Sequence, residues 1–526
     1  MRAGEETGGG PARAEREGSR PSRWLALALC LPWSPLVWAD ESMDDLMGGF
    51  DDIDAVVDTV PVDPSAPGDG VAEPGMWELG GLLSASASYN LRDHRSTTGT
   101  DYGGLSKLRL RGLLTIDGRL GADWRSHVDI SAWQDLAYTY READYTQDVI
   151  DAYEKELEIL DGWVGGPVSS STDVKIGRQV AVWGFADNLR VLDILNPLDN
   201  LEPGLADIED LRRPVGMLRV DQYAGPWRLS AYVTPEHRFS RNPPFGSDFY
   251  SQVGADGSAT RFRNVRPDDF EDIDLAASAL GRFSGWDLSL HAARFWVDEP
   301  YLDASAFDRS DARATEADFQ QAAVLRHSRS RLLGFGIQRT QGGWLFKQEA
   351  AVIDDLQLTR TTPLEQPLPL LNALPIVGAL IPDTDGQALP EGARAVQRYD
   401  LLLGVEYFGV ADTTFSLELA ARHIDDFGPD LARSGYLEWA SETAARVTRD
   451  FMNQRLRLNL IGVVFNEDGQ FWRRSGGGIY RFDAEYELAR GVQLSGGLLL
   501  YDGGRQQPFT VAADNDRIFA ELQWSF

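Results

Sequence analysis

The chain has one cysteine, Cys30, and six histidines in 526 residues. His94, His127, His237, His291, His327 and His423 are scattered without metal-ligand spacing, so no metal site and no cofactor is expected. Positive charge is also scarce. With 50 Lys and Arg against 81 Asp and Glu, the net charge is −31, which excludes nucleic-acid binding through general electrostatics. A long apolar run is missing as well. The nearest, Pro367 to Pro382, carries Pro367, Pro369, Pro375 and Pro382, which rule out a continuous membrane-spanning helix. A mean hydropathy of −0.29 would suit a soluble protein. It suits a membrane barrel equally, because every second strand residue there faces a polar lumen.

The N-terminus points to export. Arg13, Arg16, Arg20 and Arg23 precede an apolar stretch from Trp24 to Trp38, and Val37-Trp38-Ala39 fits a cleavage site. Residues 1–39 are therefore expected to be a signal peptide cleaved after Ala39. The competing reading, a lipoprotein acylated on Cys30, is disfavoured by Leu29, where that processing needs a small residue. Cleavage removes Cys30, and with it disulfides and thiolate sites. It also removes five Arg and four Glu, so the net charge moves from −31 to −32. The expected compartment is the Gram-negative outer membrane. The partners there are outer-membrane lipid and lipopolysaccharide, whose surface acidic loops would meet through bridging divalent cations.

Residues 40–75 are acidic and rich in Pro and Gly. Met43, Leu46, Met47, Phe50, Ile53 and Val57 recur at helical spacing, but Gly48-Gly49 costs such a helix about 2 kcal/mol against alanine. This segment reads as a periplasmic lead-in. The sharper readings are a docking peptide for a periplasmic partner through residues 43–57, or a plug.

From Trp77 the period becomes two. Trp77, Leu79, Leu83, Ala85, Ala87 and Tyr89 share one face; Leu108, Leu110, Leu114 and Ile116 oppose Lys107, Arg109 and Arg111. Trp124, Val128 and Ile130 oppose Arg125, His127 and Asp129, after a turn placed at Asp117-Gly118. Leu456, Leu458 and Leu460 alternate with Arg455, Arg457 and Asn459; Tyr480, Phe482, Ala484 and Tyr486 alternate with Arg481, Asp483, Glu485 and Glu487. A soluble core cannot take such charged rows on strand after strand, whereas a barrel with lipid outside and water inside requires them. Short links such as Ala224-Gly225-Pro226, Ser284-Gly285, Gln341-Gly342-Gly343 and Ala489-Arg490-Gly491 alternate with long ones, the pattern of periplasmic turns and extracellular loops. Trp124, Trp183, Trp227, Trp286, Trp344, Tyr407 and Trp524 suit two interfacial girdles.

Direct reading gives seventeen strands, and a barrel with both ends in the periplasm needs an even number. Strand direction places the missing one in 438–450, turning at Phe451-Met452-Asn453. The expectation over 76–526 is an all-β, single-chain antiparallel transmembrane β-barrel of about eighteen strands, with sixteen as the alternative. Its last strand alternates through Ile518, Ala520, Leu522, Trp524 and Phe526. It looks like the signal read by the barrel-assembly machinery, with Leu522, Trp524 and Phe526 as its residues.

The most distinctive stretch is Lys175-Ile176-Gly177-Arg178-Gln179-Val180-Ala181-Val182-Trp183-Gly184, followed by Asp187, Asp193, Asn196-Pro197, Asp199 and Arg212-Arg213-Pro214. Over residues 174–214 it resembles a family of porin-like proteobacterial outer-membrane barrels of unknown function. Those carry a Gly-Arg-Gln…Trp-Gly strand end and an Asn-Pro-x-Asp loop. The resemblance implies the barrel and its compartment, and suggests movement of hydrophobic or lipid-like compounds.

On the residues themselves, Trp183, Phe185, Leu189, Val191, Leu192, Ile194 and Leu195 are too apolar for a solvated loop tip. One reading folds 184–213 into the lumen as a constriction, with Asp187, Asp193 and Asp199 facing Arg190, Arg212 and Arg213. The other makes it a cap bracing the wall. The ladder Lys107, Arg109 and Arg111 would attract anions unless inward acids such as Asp129 neutralise it. Arg455, Arg457, Arg481, Asp483 and Glu485 are further lumen candidates. The apolar stretch 359–395 (Leu368, Leu370, Leu371, Leu374, Ile376, Val377, Leu380, Ile381) is a candidate gate or contact surface. His127 and Asp129 share an inner face, but no local motif of a barrel phospholipase or protease accompanies them, so no enzyme is expected. A channel or transporter for small or lipid-like compounds leads, ahead of a structural or adhesin-like barrel, with a barrel hydrolase last.

Overall fold

The computed structural model describes residues 76–526, apart from 142, 251–261, 312, 365–387, 468–470, 472–474 and 506–508. Residues 1–39, expected to be a signal peptide, the acidic segment 40–75 and the apolar run 368–381 lie outside the described residues.

Among the described residues eighteen strands form the barrel, apart from a small three-stranded sheet (Arg263–Val265, Tyr301–Asp303, Val324–Arg326) in the long connections: β1 (Trp77–Asn90), β2 (Gly104–Leu120), β3 (Trp124–Asp135), β4 (Lys155–Ser169), β5 (Thr172–Gln179), β6 (Val215–Ala224), β7 (Trp227–Thr234), β8 (Asp274–Phe283) and β9 (Trp286–Trp296). The second half is β10 (Arg329–Gln341), β11 (Trp344–Pro363), β12 (Ala388–Val410), β13 (Thr413–Ile424), β14 (Trp439–Phe451), β15 (Leu456–Glu467), β16 (Gly477–Ala489), β17 (Val492–Asp502) and β18 (Arg517–Ser525). Each pairs antiparallel with the next. The ring closes between β18 and β1, from Leu82 opposite Ser525 to Asn90 opposite Arg517. Phe526 extends the seam: its N–H donates to the Gly81 carbonyl and its carbonyl accepts from the Gly81 N–H, both at 3.0 Å.

The faces sort by chemistry. Leu79, Leu83, Leu110, Leu333 and Leu460 point outward and are 50–70% exposed, a waste of apolar surface in water but the required contact in a bilayer. Inward positions carry buried polar groups, among them Ser84, Ser88, Lys347, Glu349, Glu418, Arg481 and Asp483. Eight connections of two to four residues alternate with nine longer ones, of which 180–214 and 235–273 are the longest. This is the architecture of outer-membrane barrels.

Several local expectations change. The strand demanded by parity is β14, and the turn after it holds Met452, Asn453 and Gln454 at positive φ. Asp117-Gly118 is not a turn: β2 runs on to Leu120, and the reversal uses Gly121 at φ 80°. Gly118 is needed for space instead, since a side chain there would run into the Trp77 ring and Ser126. Residues 359–363 and 388–395 are strand, because β11 and β12 extend as a long hairpin. Trp183 belongs to no girdle; it is buried against Tyr232 and His291.

Candidate functional site

The connection 180–214, between β5 and β6, is built on one buried amide. Asn196 accepts from the Ala181 N–H at 2.8 Å and donates to the Arg213 carbonyl at 2.9 Å, so it ties the two ends of the loop together. The Arg213 N–H donates to the Pro197 carbonyl at 2.8 Å, and Leu198 bridges Arg212. The prolyl turn thus closes a stem from which the chain makes two excursions.

The first excursion, 183–195, is held by carboxylates of the facing wall. Glu418 on β13 accepts the backbone N–H groups of Asp187 (2.8 Å), Asn188 (2.9 Å) and Leu189 (3.0 Å). Glu349 on β11 accepts those of Phe185, Ala186 (2.9 Å) and Leu192 (3.4 Å). Buried backbone donors need partners, and here two inward acids supply them. Lys347 adds an ion pair to Asp187 at 2.6 Å, and Arg422 on β13 donates to the Arg190 carbonyl at 3.1 Å. Packing completes the fit. Leu192 is fully buried at Gly334 on β10, where any side chain would collide with it, and Phe185 covers Gly336.

The second excursion, 198–211, reaches the other walls. Glu202 pairs with Lys107 (2.7 Å) and Arg109 (3.2 Å) on β2. Asp207 pairs with Arg446 on β14 (2.9 Å) and with Arg481 on β16. Tyr501 on β17 donates to the Pro203 carbonyl at 2.6 Å. Burial by itself would raise the Glu202 carboxyl, but the Arg109 and Lys107 charges outweigh it and hold it down to about 2.

Of the loop residues singled out in the sequence, Asp193 takes both Arg190 (3.2 Å) and Arg212 (2.9 Å). Asp187 turns instead to Lys347 and Asp199 to Arg241 (3.2 Å), so the three aspartates point to different bases. Arg213 reaches Glu158 on β4 at 3.6 Å. On β2, Lys107 and Arg109 are neutralised by Glu202 and by Asp135 (3.5 Å from Arg109), not by Asp129. Asp129 accepts from Thr115 at 2.6 Å and faces His127, while Arg111 donates to Ser131. Arg481 and Asp483 pair at 2.7 Å. Glu485 accepts from Gln493 at 3.1 Å, and Arg457 pairs with Asp450 at 2.9 Å. Arg455 falls in the turn before β15, over the Tyr486 ring, rather than on an inner strand face. The structure also gathers His127, Asp129 and Asp161, whose ligand atoms lie within 4.8 Å of one another; the linear spacing hides this because Asp161 comes from the next strand.

Glu349, Glu418, Lys347, Glu202 and Asp207 escaped the sequence reading. For Lys347, Glu349 and Glu418 the one signal is an ionisable residue at an inward position of an otherwise apolar strand, as for Glu418 between Leu417 and Leu419; Glu202 and Asp207 lie in the loop and carry no such pattern.

No curated protein matches the chain. Solved structures do, at low identity. OccAB1 of Acinetobacter baumannii is 9% identical over 86% of this chain and 96% of its own, with a TM-score of 0.46. A BenF-like porin from Pseudomonas fluorescens Pf-5 is 11% identical over 86% and 98%, with a TM-score of 0.45. OccK2 (OpdF) of Pseudomonas aeruginosa, solved in complex with glucuronate, is 11% identical over 86% and 98%, with a TM-score of 0.43. A family model matches residues 63–526, the whole barrel included. The chain belongs to the family described as "Protein of unknown function (DUF1302)".

Proposed function

We propose that the chain is an outer-membrane channel for small molecules, with the loop 180–214 as its constriction. One observation carries this: the loop's backbone and acids are bonded to inward side chains of β2, β11, β13, β14, β16 and β17, strands spread around the ring. A cap bracing one side of the wall would not need anchors on so many sides. The wall it meets is lined with paired charges, which favours small polar solutes over the lipid-like compounds suggested by the resemblance.

The test is conductance. Residues 40–526, reconstituted into planar bilayers, are expected to give a small steady conductance. Deleting 186–208 should raise it severalfold while the barrel still migrates as a folded, heat-modifiable species. An assembled deletion variant with unchanged permeability would remove the constriction. No conductance from either protein would favour the structural or adhesin-like reading.

A further inference from the structure

His127, Asp129 and Asp161 take no part in holding the loop, yet the wall is bent to bring them together. Along the first half of β4 the even positions face inward: Glu156 pairs with Arg241 and Glu158 with Arg238, while Leu157 and Ile159 are exposed on the outer face. If that alternation continued, Asp161 would stand among those outward residues. It does not, because the pairing with β3 slips by one residue. Val128 lies opposite Gly162 and Ile130 opposite Ile159, so Leu160 and Asp161 together face the single residue Asp129. This β-bulge reverses the parity of β4. Asp161 thereby joins Trp163 on the lumen side, where the Trp163 ring stacks on that of His127 at 5.6 Å. Bulges of this kind recur where a strand must re-aim one side chain.

The re-aimed carboxylate completes a set of groups already oriented from behind. His127 Nε2 lies 3.3 Å from Asp129 Oδ2, which is roughly the edge of a tetrahedron with metal–ligand bonds of about 2.0–2.1 Å. Asp117 on β2 meets His127 Nδ1 at 2.8 Å, which places the proton there and leaves the Nε2 lone pair towards Asp129. Thr115 donates to Asp129 Oδ1 at 2.6 Å and leaves Oδ2 towards His127. A separate observation concerns Asp161. Its Oδ1 is buried without a hydrogen-bond partner among the described residues, although its ligand atom lies within 4.8 Å of the other two. The bordering bases do not supply that bond: Lys175 is drawn over the Trp163 ring at 4.0 Å, and Arg111 donates to Ser131 at 3.2 Å. A protonated His127 could answer Asp117 and Asp129, but an imidazolium has no third N–H for Asp161. A cation shared by all three would answer each of them.

We infer that His127 Nε2, Asp129 and Asp161 form a binding site for a divalent transition-metal ion, with zinc as its test case. One imidazole nitrogen beside two carboxylates suits zinc, whereas calcium and magnesium take oxygen throughout. The Asp161 carboxylate, which no hydrogen bond holds at Oδ1, turns to close the set, and the fourth position is left to lumen water. The site lies at the short-turn end of β2, β3 and β4, away from Lys107 and Arg109, where the loop is anchored. An ion held there joins β3 to β4 across the bulge. It needs no conductance, so it stands apart from the channel reading.

Full-length protein in detergent, stripped with a chelator, is to be titrated calorimetrically with zinc, calcium and magnesium. Zinc should bind saturably, about one ion per chain, and about tenfold or more tightly than either of the others. Asp161→Asn keeps the side chain's shape and removes its charge, and should weaken zinc about tenfold or more. Asp117→Asn, which loosens the imidazole without touching the ion, should weaken it by roughly 10–100-fold. Cobalt gives a readout that a merely structural role would not move: strong visible bands of a low-coordinate ion, lost in His127→Gln. Heat-modifiable mobility checks that each variant is folded, and the comparison of the three metals needs no variant. No zinc binding, calcium binding as tightly as zinc, or a folded Asp161→Asn protein that binds zinc as before would each overturn the site.

Discussion

Glu418 takes three consecutive N–H groups of the loop on one carboxylate, so its loss should be felt far from its own strand. Glu418→Ala leaves three donors unmatched, each worth about 1–3 kcal/mol when buried. The variant is expected to assemble but to expose 183–195 to limited proteolysis; wild-type resistance in a folded variant would refute the clamp. Glu202 predicts a pH window. Its folded carboxyl sits at about 2 against an ordinary 4.5, so it stabilises the docked tip fully above 4.5 and loses that contribution as pH falls towards 2. Tip docking, followed by protease protection of 198–211, should therefore hold from neutral pH to about 5 and loosen below it. A loosening already complete at pH 6 would point to another group. The sequence shows that Glu418 faces inward. It cannot show that the groups it meets lie 229 to 231 residues earlier, because a period-two pattern encodes a face and not a long-range partner.

Among the elements, the most legible were those with clean alternation, and the least legible was β14. Its inward and outward positions mix Ala, Ser, Thr and Arg, so only the parity of a closed ring required it. The turn after β2 misled for a different reason. Asp-Gly is a strong turn signal, but Asp117 is spent on His127 at 2.8 Å and Gly118 on the space beneath Trp77, so both remain in the strand. At the seam, Phe526 lies against Gly81, where a Cβ would come within 2.7 Å of the Phe526 ring. Phe526→Ala should lower outer-membrane abundance sharply while export continues, and Gly81→Leu should do the same by displacing the ring. Membrane fractions examined for heat-modifiable mobility decide this. Normal amounts of both variants would show that the seam does not depend on that contact.

At the scale of the whole molecule acids outnumber bases by 31, but on the wall that meets the loop the charge is distributed as pairs. Lys107 and Arg109 meet Glu202 and Asp135, Arg446 and Arg481 meet Asp207, and Lys347 meets Asp187. The pore is therefore expected to select weakly between small cations and anions. Arg109→Glu with Arg111→Glu should shift the reversal potential in a salt gradient towards cations, both by reversing two wall charges and by repelling Glu202. An unchanged potential would take β2 out of the permeation path. The loop and the wall also share a shape. Gly334 and Gly336 on β10 leave out the side chains that Leu192 and Phe185 replace, though more than 140 residues separate them in the chain. This loop is accordingly not a portable part: grafted into a barrel with ordinary side chains at those two positions, it would have no seat. A change in its apolar tip can persist only if β10 changes with it.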